Sequence, residues 1–449
     1  MLIRHPPLAC RRAQPRGLAA LTVVMVLFFV MALVAAYTNR NLIFEQRISI
    51  GTYRSARATD GAEAALNWGM SLLNGGSIDT ACRPSTAATD LDYRRQAFVE
   101  LPEDSYAGEG RYGTPGTGVR PVAGCIVANG QMSCACPSAA VTNPTITPLA
   151  GSQGTAFHTT FFMPLLGASD PKSQQGLVGL AGYACGSLGT GANDCSRSVT
   201  ATPQVDGVAG VSSSLGLLSA LPLAPKATLT AGGAVSTTGA GVVLVISNPD
   251  NSSGKTVMSG GTASSSGQFA GPAGSAGDGK LESVAALSSL ANLASPADEA
   301  WFQAIFGMDP TTYRNQPATR LMDCNAGCSA AGLATVLSGY PRNPIYIVGD
   351  ISIDSATALG TTAAPVMLIV SGTLTVAADT PIIGFVYADN LNWQGAGASV
   401  NGAVVTRGNF AATATAHLTY DRQVIDTIRL RYGSFVRMPG SWNTRIGYR

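Results

Sequence analysis

Charge is scarce in this chain: of 449 residues only 12% are Asp, Glu, Lys or Arg, about half the share usual in soluble domains. Histidine is scarcer, with three in all, at positions 5, 158 and 417. Without an H-E-x-x-H helix or a C-x-x-C pair, metal-assisted hydrolysis has no visible parts. A P-loop and a G-x-S-x-G elbow in strand–turn–helix context are also missing, which removes phosphoryl and acyl transfer as readings. His417 and Asp421 are near enough in sequence to form an orienting pair, but an isolated, satisfied histidine is the stronger reading. The expectation is therefore no enzyme, no cofactor and no metal. A basic surface is missing too. The formal net charge is +2, and four of the 28 basic residues fall within the first 17 positions, leaving 24 against 26 acidic residues downstream. That balance excludes a nucleic-acid footprint.

What the chain has is glycine, 52 residues of it, 46% hydrophobic residues and nine cysteines. This composition suits an extracytoplasmic, β-rich, loop-heavy protein large enough to bury a sizeable core. Beyond Cys10, the cysteines are Cys82, Cys125, Cys134, Cys136, Cys185, Cys195, Cys324 and Cys328. An even number in an oxidising compartment reads as disulfides whose connectivity spacing alone leaves open, with Cys185–Cys195 and Cys324–Cys328 as local pairs. A zinc site around Cys134-Ala135-Cys136 is the weaker alternative.

The chain is organised around the uncharged run Leu18–Tyr37. As a helix it spans about 30 Å, the thickness of a bilayer core. Arg4, Arg11, Arg12 and Arg16 precede it without an acid among them, which favours a cytoplasmic N-terminus and a single inner-membrane span. An ordinary secretory signal has a shorter apolar core and a small-residue cleavage site after it; Arg16-Gly17-Leu18 instead places a basic, Gly-ending leader before the whole apolar run.

Arg16-Gly17-Leu18-Ala19-Ala20-Leu21-Thr22-Val23-Val24, continued by Phe44-Glu45-Gln46-Arg47 and Ala58-Thr59-Asp60-Gly61-Ala62-Glu63-Ala64-Ala65-Leu66, resembles the N-terminal region of the PilX-like minor pilins of type IV pili. The resemblance covers about the first 75 residues. It implies cleavage after Gly17 by prepilin peptidase, methylation of the new N-terminus at Leu18, and an assembly helix carrying Thr22, Glu45, Arg47 and Glu63. It also implies as partners other minor pilins, the major pilin, the inner-membrane assembly platform and, at the tip, an adhesin. Major pilins carry a glutamate where this chain has Thr22. A subunit without that carboxylate cannot neutralise a neighbour's buried ammonium, which points to a tip-proximal place.

Along the chain, the helix is expected to run to Leu73-Asn74, stopped by Gly75-Gly76, with a local break near Gly51. Ala58, Ala62, Ala65, Leu66, Met70 and Leu73 give it an apolar face of ordinary core packing. Residues 77–154 are irregular and rich in proline and cysteine. Strands are expected at Ala156–Met163, Leu177–Tyr183 and Gly241–Ile246, and helices at Leu281–Leu293 and Ser295–Phe306. Residues 248–280 read as a flexible insert, with a calcium loop at Asp250, Asn251 and Asp278 as the weaker alternative.

Four segments, Tyr346–Ile353, Leu368–Val376, Phe385–Trp393 and Val404–Phe410, share a strand–kink–strand plan about every 20 residues, as in a parallel β-solenoid. An antiparallel meander is the alternative. Asp421–Arg431 is expected as a capping helix and Phe435-Val436-Arg437 as a last strand. Trp393 and Trp442 are candidates for sugar stacking, with core or interface packing the stronger reading.

The fold expected is α+β: leader 1–17, transmembrane and assembly helix 18–76, a disulfide-stapled β-rich domain 77–340 with insert 248–280, and a β-solenoid-like region 341–449. The function expected is a minor pilin at the pilus tip and cell surface, priming assembly and presenting a surface domain for adhesion or docking. The alternatives are a membrane-anchored surface binding protein outside any filament, the tip pseudopilin of a type II secretion system, and a glycan-active solenoid.

Overall fold

A computed structural model describes residues 16–97, 99–100, 112–113, 122–128, 130–137, 155–162, 177–188, 205–251, 254–264, 266–272, 279–292 and 297–444. The architecture is mixed α+β, a long apolar helix followed by a β-rich body. Helix α1 (Arg16–Leu73) runs 58 residues without interruption, so the break expected at Gly51 does not occur. A Cβ at Gly51 would meet nothing within 4 Å, and one glycine costs a long helix only about 1 kcal/mol. The stop is where it was expected, at Asn74-Gly75-Gly76.

Short helix α2 (Tyr93–Ala97) and the antiparallel pair β1 (Val99–Glu100) and β2 (Tyr112–Gly113) follow. Then come β3 (Val122–Ala128), β4 (Gln131–Ala135), β5 (Thr155–Phe162), β6 (Leu177–Leu188) and β7 (Val205–Ser219), all paired antiparallel in the order β4-β3-β5-β6-β7. The last third of α1 lies on this sheet, with Ala62, Ala65, Leu66 and Leu73 packed against Phe161, Leu180, Ala184 and Leu215. Glycines let the two layers meet closely. A Cβ at Gly182 would come within 2.3 Å of the Ala62 carbonyl oxygen, and one at Gly61 within 2.8 Å of the Ala184 Cβ. Gly61 and Gly69, which weaken a helix by propensity, are here contact points with the sheet.

The next strands are β8 (Ala227–Ala231), β9 (Val235–Thr237), β10 (Leu244–Ser247), β11 (Lys255–Ser259), β12 (Gly267–Ala270) and β13 (Lys280–Leu281). Helices α3 (Ala285–Asn292), α4 (Ala297–Phe306) and α5 (Pro310–Arg314), strand β14 (Arg320–Asp323) and helix α6 (Ala330–Gly339) lead into β15 (Ile345–Val348) and β16 (Ile351–Ile353). The chain continues through β17 (Val366–Val376), β18 (Pro381–Trp393), β19 (Ser399–Thr406), β20 (Phe410–Ala412) and β21 (Ala416–Thr419), then α7 (Arg422–Arg431) and β22 (Gly433–Arg437).

Strands β8 to β21 form one 14-stranded sheet, and its ladders are parallel, for example β17 with β18 and β18 with β19. The antiparallel meander is thereby corrected. In register, Ile345, Leu368, Val386, Val404, Leu229 and Val257 stack as one column, and all are fully or almost fully buried in a single apolar core. Carboxylate and amide side chains bridge successive strands where they kink. Asp350 accepts from the Thr373 N–H at 2.6 Å, Asn390 from the Asn409 N–H at 3.0 Å, and Asn409 from the Ala234 N–H at 2.8 Å.

Three further expectations change. The parallel sheet draws strands from both sides of residue 340, because β8 pairs with β19. Residues 255–259 and 267–270 of the supposed flexible insert are strands; Val257 is fully buried and Ala263 and Phe269 pack against the same core, so these inward side chains and a backbone ladder order a segment otherwise poor in apolar residues. Helix α7 lies along β18 and β19 on the outer face of the sheet instead of capping its end. There Val424, Ile425 and Ile428 join Trp301, Phe302 and Phe306 over Tyr346, Ile369 and Tyr387. Strand β22 returns to the antiparallel sheet beside β7, with Phe435 opposite Leu217.

Candidate functional site

The candidate site is the exposed length of α1 and the junction that holds its other end. From Ala20 to Tyr53 every side chain of α1 is exposed, including Phe28 at 75% and Ile48 at 65%. By length and composition this helix is able to cross a membrane. The bilayer accounts for only about 20 residues of it, yet Leu42, Ile43, Phe44, Ile48, Ile50 and Tyr53, all beyond Tyr37, are exposed too.

Gly17 and Leu18 lie in the first turn of α1, and the leader before Arg16 is outside the described residues. Thr22 is exposed on the helix, as are Glu45, Arg47 and Glu63. These predicted residues share one element and do not converge on a pocket.

The end of α1 is held by polar groups that sequence reasoning missed. Arg94, 7% exposed, donates from Nε to the Leu73 carbonyl and from its terminal nitrogens to the carbonyls of Arg431 (3.1 Å) and Gly433 (2.6 Å) and to Asn74 Oδ1 (3.2 Å). Its guanidinium also lies over the Phe435 ring, 4.9 Å from the centroid. One cation thus serves the C-terminal ends of α1 and α7, where unpaired carbonyls and the helix dipole favour positive charge. Asn74 accepts from the Phe435 N–H at 2.8 Å and donates to the Phe435 carbonyl at 3.0 Å. Arg320 donates to the Asn74 carbonyl at 2.6 Å; burial pushes its guanidinium below the ordinary arginine range, with Arg94 nearby adding to the fall. The only sequence signal for this junction was the Asn74-Gly75-Gly76 stop, since Arg94 sits in an irregular stretch with no periodicity.

Disulfides join Cys82 to Cys136, Cys125 to Cys134 and Cys324 to Cys328. The first ties the turn after α1 to the end of β4, across a sequence separation of 54. The second links directly opposite residues of β3 and β4. Thiols in disulfides are not zinc ligands, so Cys134-Ala135-Cys136 is structural. Cys324–Cys328 is the local pair expected. Cys185 is disulfide-bonded, and Cys195 lies outside the described residues.

The other candidates dissolve. The Asp421 carboxylate caps α7 by accepting from the Val424 N–H at 3.1 Å and also accepts from the Asn401 amide at 3.0 Å, while His417 is exposed on β21. Asp250 lies 3.6 Å from Arg422, and Asp278 is outside the described residues. Among the described residues no cluster of His, Cys, Asp or Glu is arranged to hold a metal. Trp393 is fully buried and donates to the Thr415 carbonyl at 3.1 Å, so it offers no sugar platform. Trp442 is 43% exposed, with the Arg437 guanidinium over its ring.

No protein-family model matches the chain, and no curated protein matches it. Among solved structures it is similar to one described as "Shewanella frigidimarina ice-binding protein_1 DUF3494 Domain", at 15% identity over 45% of this chain and 99% of that chain, with a TM-score of 0.26. A likeness that weak carries no argument about fold or function.

Proposed function

We propose that this protein is a minor, tip-associated subunit of a type IV pilus, made as an inner-membrane protein and moved into the filament after its leader is removed. The observation that supports this reading is α1 itself. It is one unbroken helix of 58 residues whose last third packs on the antiparallel sheet and whose preceding stretch, Ala20–Tyr53, is exposed well past a bilayer's thickness. An anchor that never leaves the membrane has no use for the extra apolar turns. A helix that must pack among other helices in a shaft does.

In this reading the junction around Arg94 and Asn74 makes the helix and the β-rich body one piece, so that docking of the helix fixes the direction in which the body is presented. The parallel ladders of residues 227–281 and 345–419 are coils of a β-solenoid, each burying its inner column against the next. The solenoid is the part displayed, for adhesion or for docking a tip partner.

The test is the mature N-terminus, measured by mass spectrometry in cells with and without prepilin peptidase. The expected result is a peptide beginning at N-methylated Leu18 only where the peptidase is present. A chain that keeps Met1 and its arginine leader in both strains is instead a membrane-anchored surface binding protein.

A further inference from the structure

The chain leaves the antiparallel sheet and returns to it at one point. Strand β7 ends at Ser219, β22 begins at Gly433, and these two residues are partners in the same ladder. The adjoining pair is bonded too, the Ala220 N–H donating to the Tyr432 carbonyl at 2.9 Å. Everything between, residues 220–432, is the parallel sheet with helices α3 to α7. That region is therefore an insertion in the very sheet that carries α1, and its folded state holds the two ends side by side. Unfolded, the same residues are a long loop, and bringing β22 back to β7 must then overcome the entropy of closing it.

Strand β22 also finishes the seat of α1. It is an edge strand with β7 on one side, and on the other the Asn74 side chain takes the place of a neighbouring strand by bonding both the N–H and the carbonyl of Phe435. Phe435 is fully buried in the core it shares with Leu66 and Leu73. Arg437 donates to Asn67 Oδ1 at 2.6 Å, and Arg94 reaches the carbonyls of Arg431 and Gly433. Two side chains of the inserted region donate directly to the Asn74 carbonyl, Arg320 at 2.6 Å and Asn343 at 3.4 Å, and the Ser77 N–H donates to the Gly339 carbonyl at 2.8 Å. Each of these contacts needs β22 docked or the inserted region folded.

We propose that the insertion acts as a folding checkpoint: α1 is locked onto its sheet only in a chain whose residues 220–432 have folded. Folding of that region brings β22 to β7 without the cost of loop closure. Strand β22, with Arg320 and Asn343, then holds the last turn of α1. By linkage the seated helix stabilises the inserted region to the same degree. The core around Trp393 and the core under α1 are separate clusters, so the coupling runs through this junction and not through shared packing. The purpose of the device rests on the filament-subunit reading: a subunit offers a firmly seated assembly helix only once its display region is complete.

The test is amide hydrogen exchange of the full chain in detergent micelles, read by mass spectrometry, in the native chain and in Trp393→Ala. Exchange in β17 and β18 is expected to accelerate at least about tenfold in the variant, and the amides of residues 62–74 to accelerate with it. Should Trp393→Ala not fold, Ile353→Val carries the same comparison at a smaller amplitude, about two- to tenfold. Amides of α1 that keep their native exchange while those of β17 and β18 accelerate would overturn the proposal. A second variant tests the route. Gly216→Cys with Val436→Cys places thiols on directly opposite residues of β7 and β22, within reach of a disulfide, and the added Cβ at Gly216 meets the Met438 sulfur, on a flexible side chain, at 3.1 Å. With that bond formed, α1 is expected to keep its protection in the Trp393→Ala background while β17 and β18 stay fast; loss of protection despite the bond means that β22 is not the link, and the proposal fails. The result is separable from the filament reading: coupled exchange with an uncut leader sinks only the filament, and uncoupled exchange with a methylated Leu18 sinks only the checkpoint.

Discussion

Arg94 joins two helix ends that would otherwise leave carbonyls without donors. A neutral replacement strands the carbonyls of Leu73, Arg431 and Gly433 in a buried place, and each stranded acceptor costs about 1–3 kcal/mol. Arg94→Ala is therefore expected to lower the unfolding free energy by about 3 kcal/mol or more, read from urea denaturation in detergent. Arg94→Lys is expected to recover less than half of that loss, because an ammonium does not reproduce the planar fork that reaches both helix ends. An unchanged urea midpoint for Arg94→Ala would remove the residue from the junction.

Among elements, the contact of α1 with the antiparallel sheet depends on glycine from both layers. At Gly51 nothing comes within 4 Å of an added methyl group, while at Gly182 the Ala62 carbonyl oxygen stands 2.3 Å away. The same substitution therefore has opposite signs at the two positions. Gly51→Ala is expected to stabilise by about 0.5–1 kcal/mol through helix propensity. Gly182→Ala forces the helix off β6 and is expected to cost about 2 kcal/mol. Equal effects in thermal denaturation would mean that the layers are not in close contact.

The apolar side of this helix was legible in the sequence, since Ala58, Ala62, Ala65 and Leu66 recur at helical spacing and a helix writes its buried face into a few local turns. The role of Gly61 and Gly69 was not, because it depends on Thr159 and Ala184, about a hundred residues away. The strand–kink–strand plan of residues 345–412 was legible for the same local reason. The disulfide Cys82–Cys136 was not, because spacing carries no record of which strand a loop returns to.

For the molecule as a whole, what escaped the sequence was the order of stacking. Strand β8, the first of the parallel sheet in sequence, pairs with β19, almost the last, and β22 leaves the parallel region to finish the antiparallel sheet beside β7. Both pairings are long-range choices that satisfy backbone groups and leave no pattern in either partner alone.

The layers so formed enclose three tyrosines that make stability depend on alkaline pH. Burial pushes the phenols of Tyr93 and Tyr313 well above the ordinary value of 10.0. Burial, with Asp250 and Asp426 adding to it, pushes that of Tyr420 up to about 12. Tyr313 donates to the Ala220 carbonyl at 2.9 Å and Tyr420 to the Pro225 carbonyl at 3.0 Å, bonds that only the protonated phenol makes. The unfolded chain releases these protons near pH 10 and the folded chain keeps them, so between about pH 10 and 12 the unfolded state binds fewer protons and stability falls as pH rises. Below pH 10 their contribution is complete and flat. The urea midpoint is accordingly expected to hold steady up to about pH 9.5 and then decline, with phenolate absorbance from the buried tyrosines appearing together with unfolding. Tyr420→Phe loses one hydrogen bond at neutral pH but makes the alkaline decline shallower, since its share of the linkage is gone. Ionisation of all three near pH 10 with the near-ultraviolet circular dichroism of the folded body intact would show that water reaches them, and the packing of α1, α5 and α7 onto the two sheets would have to be redrawn.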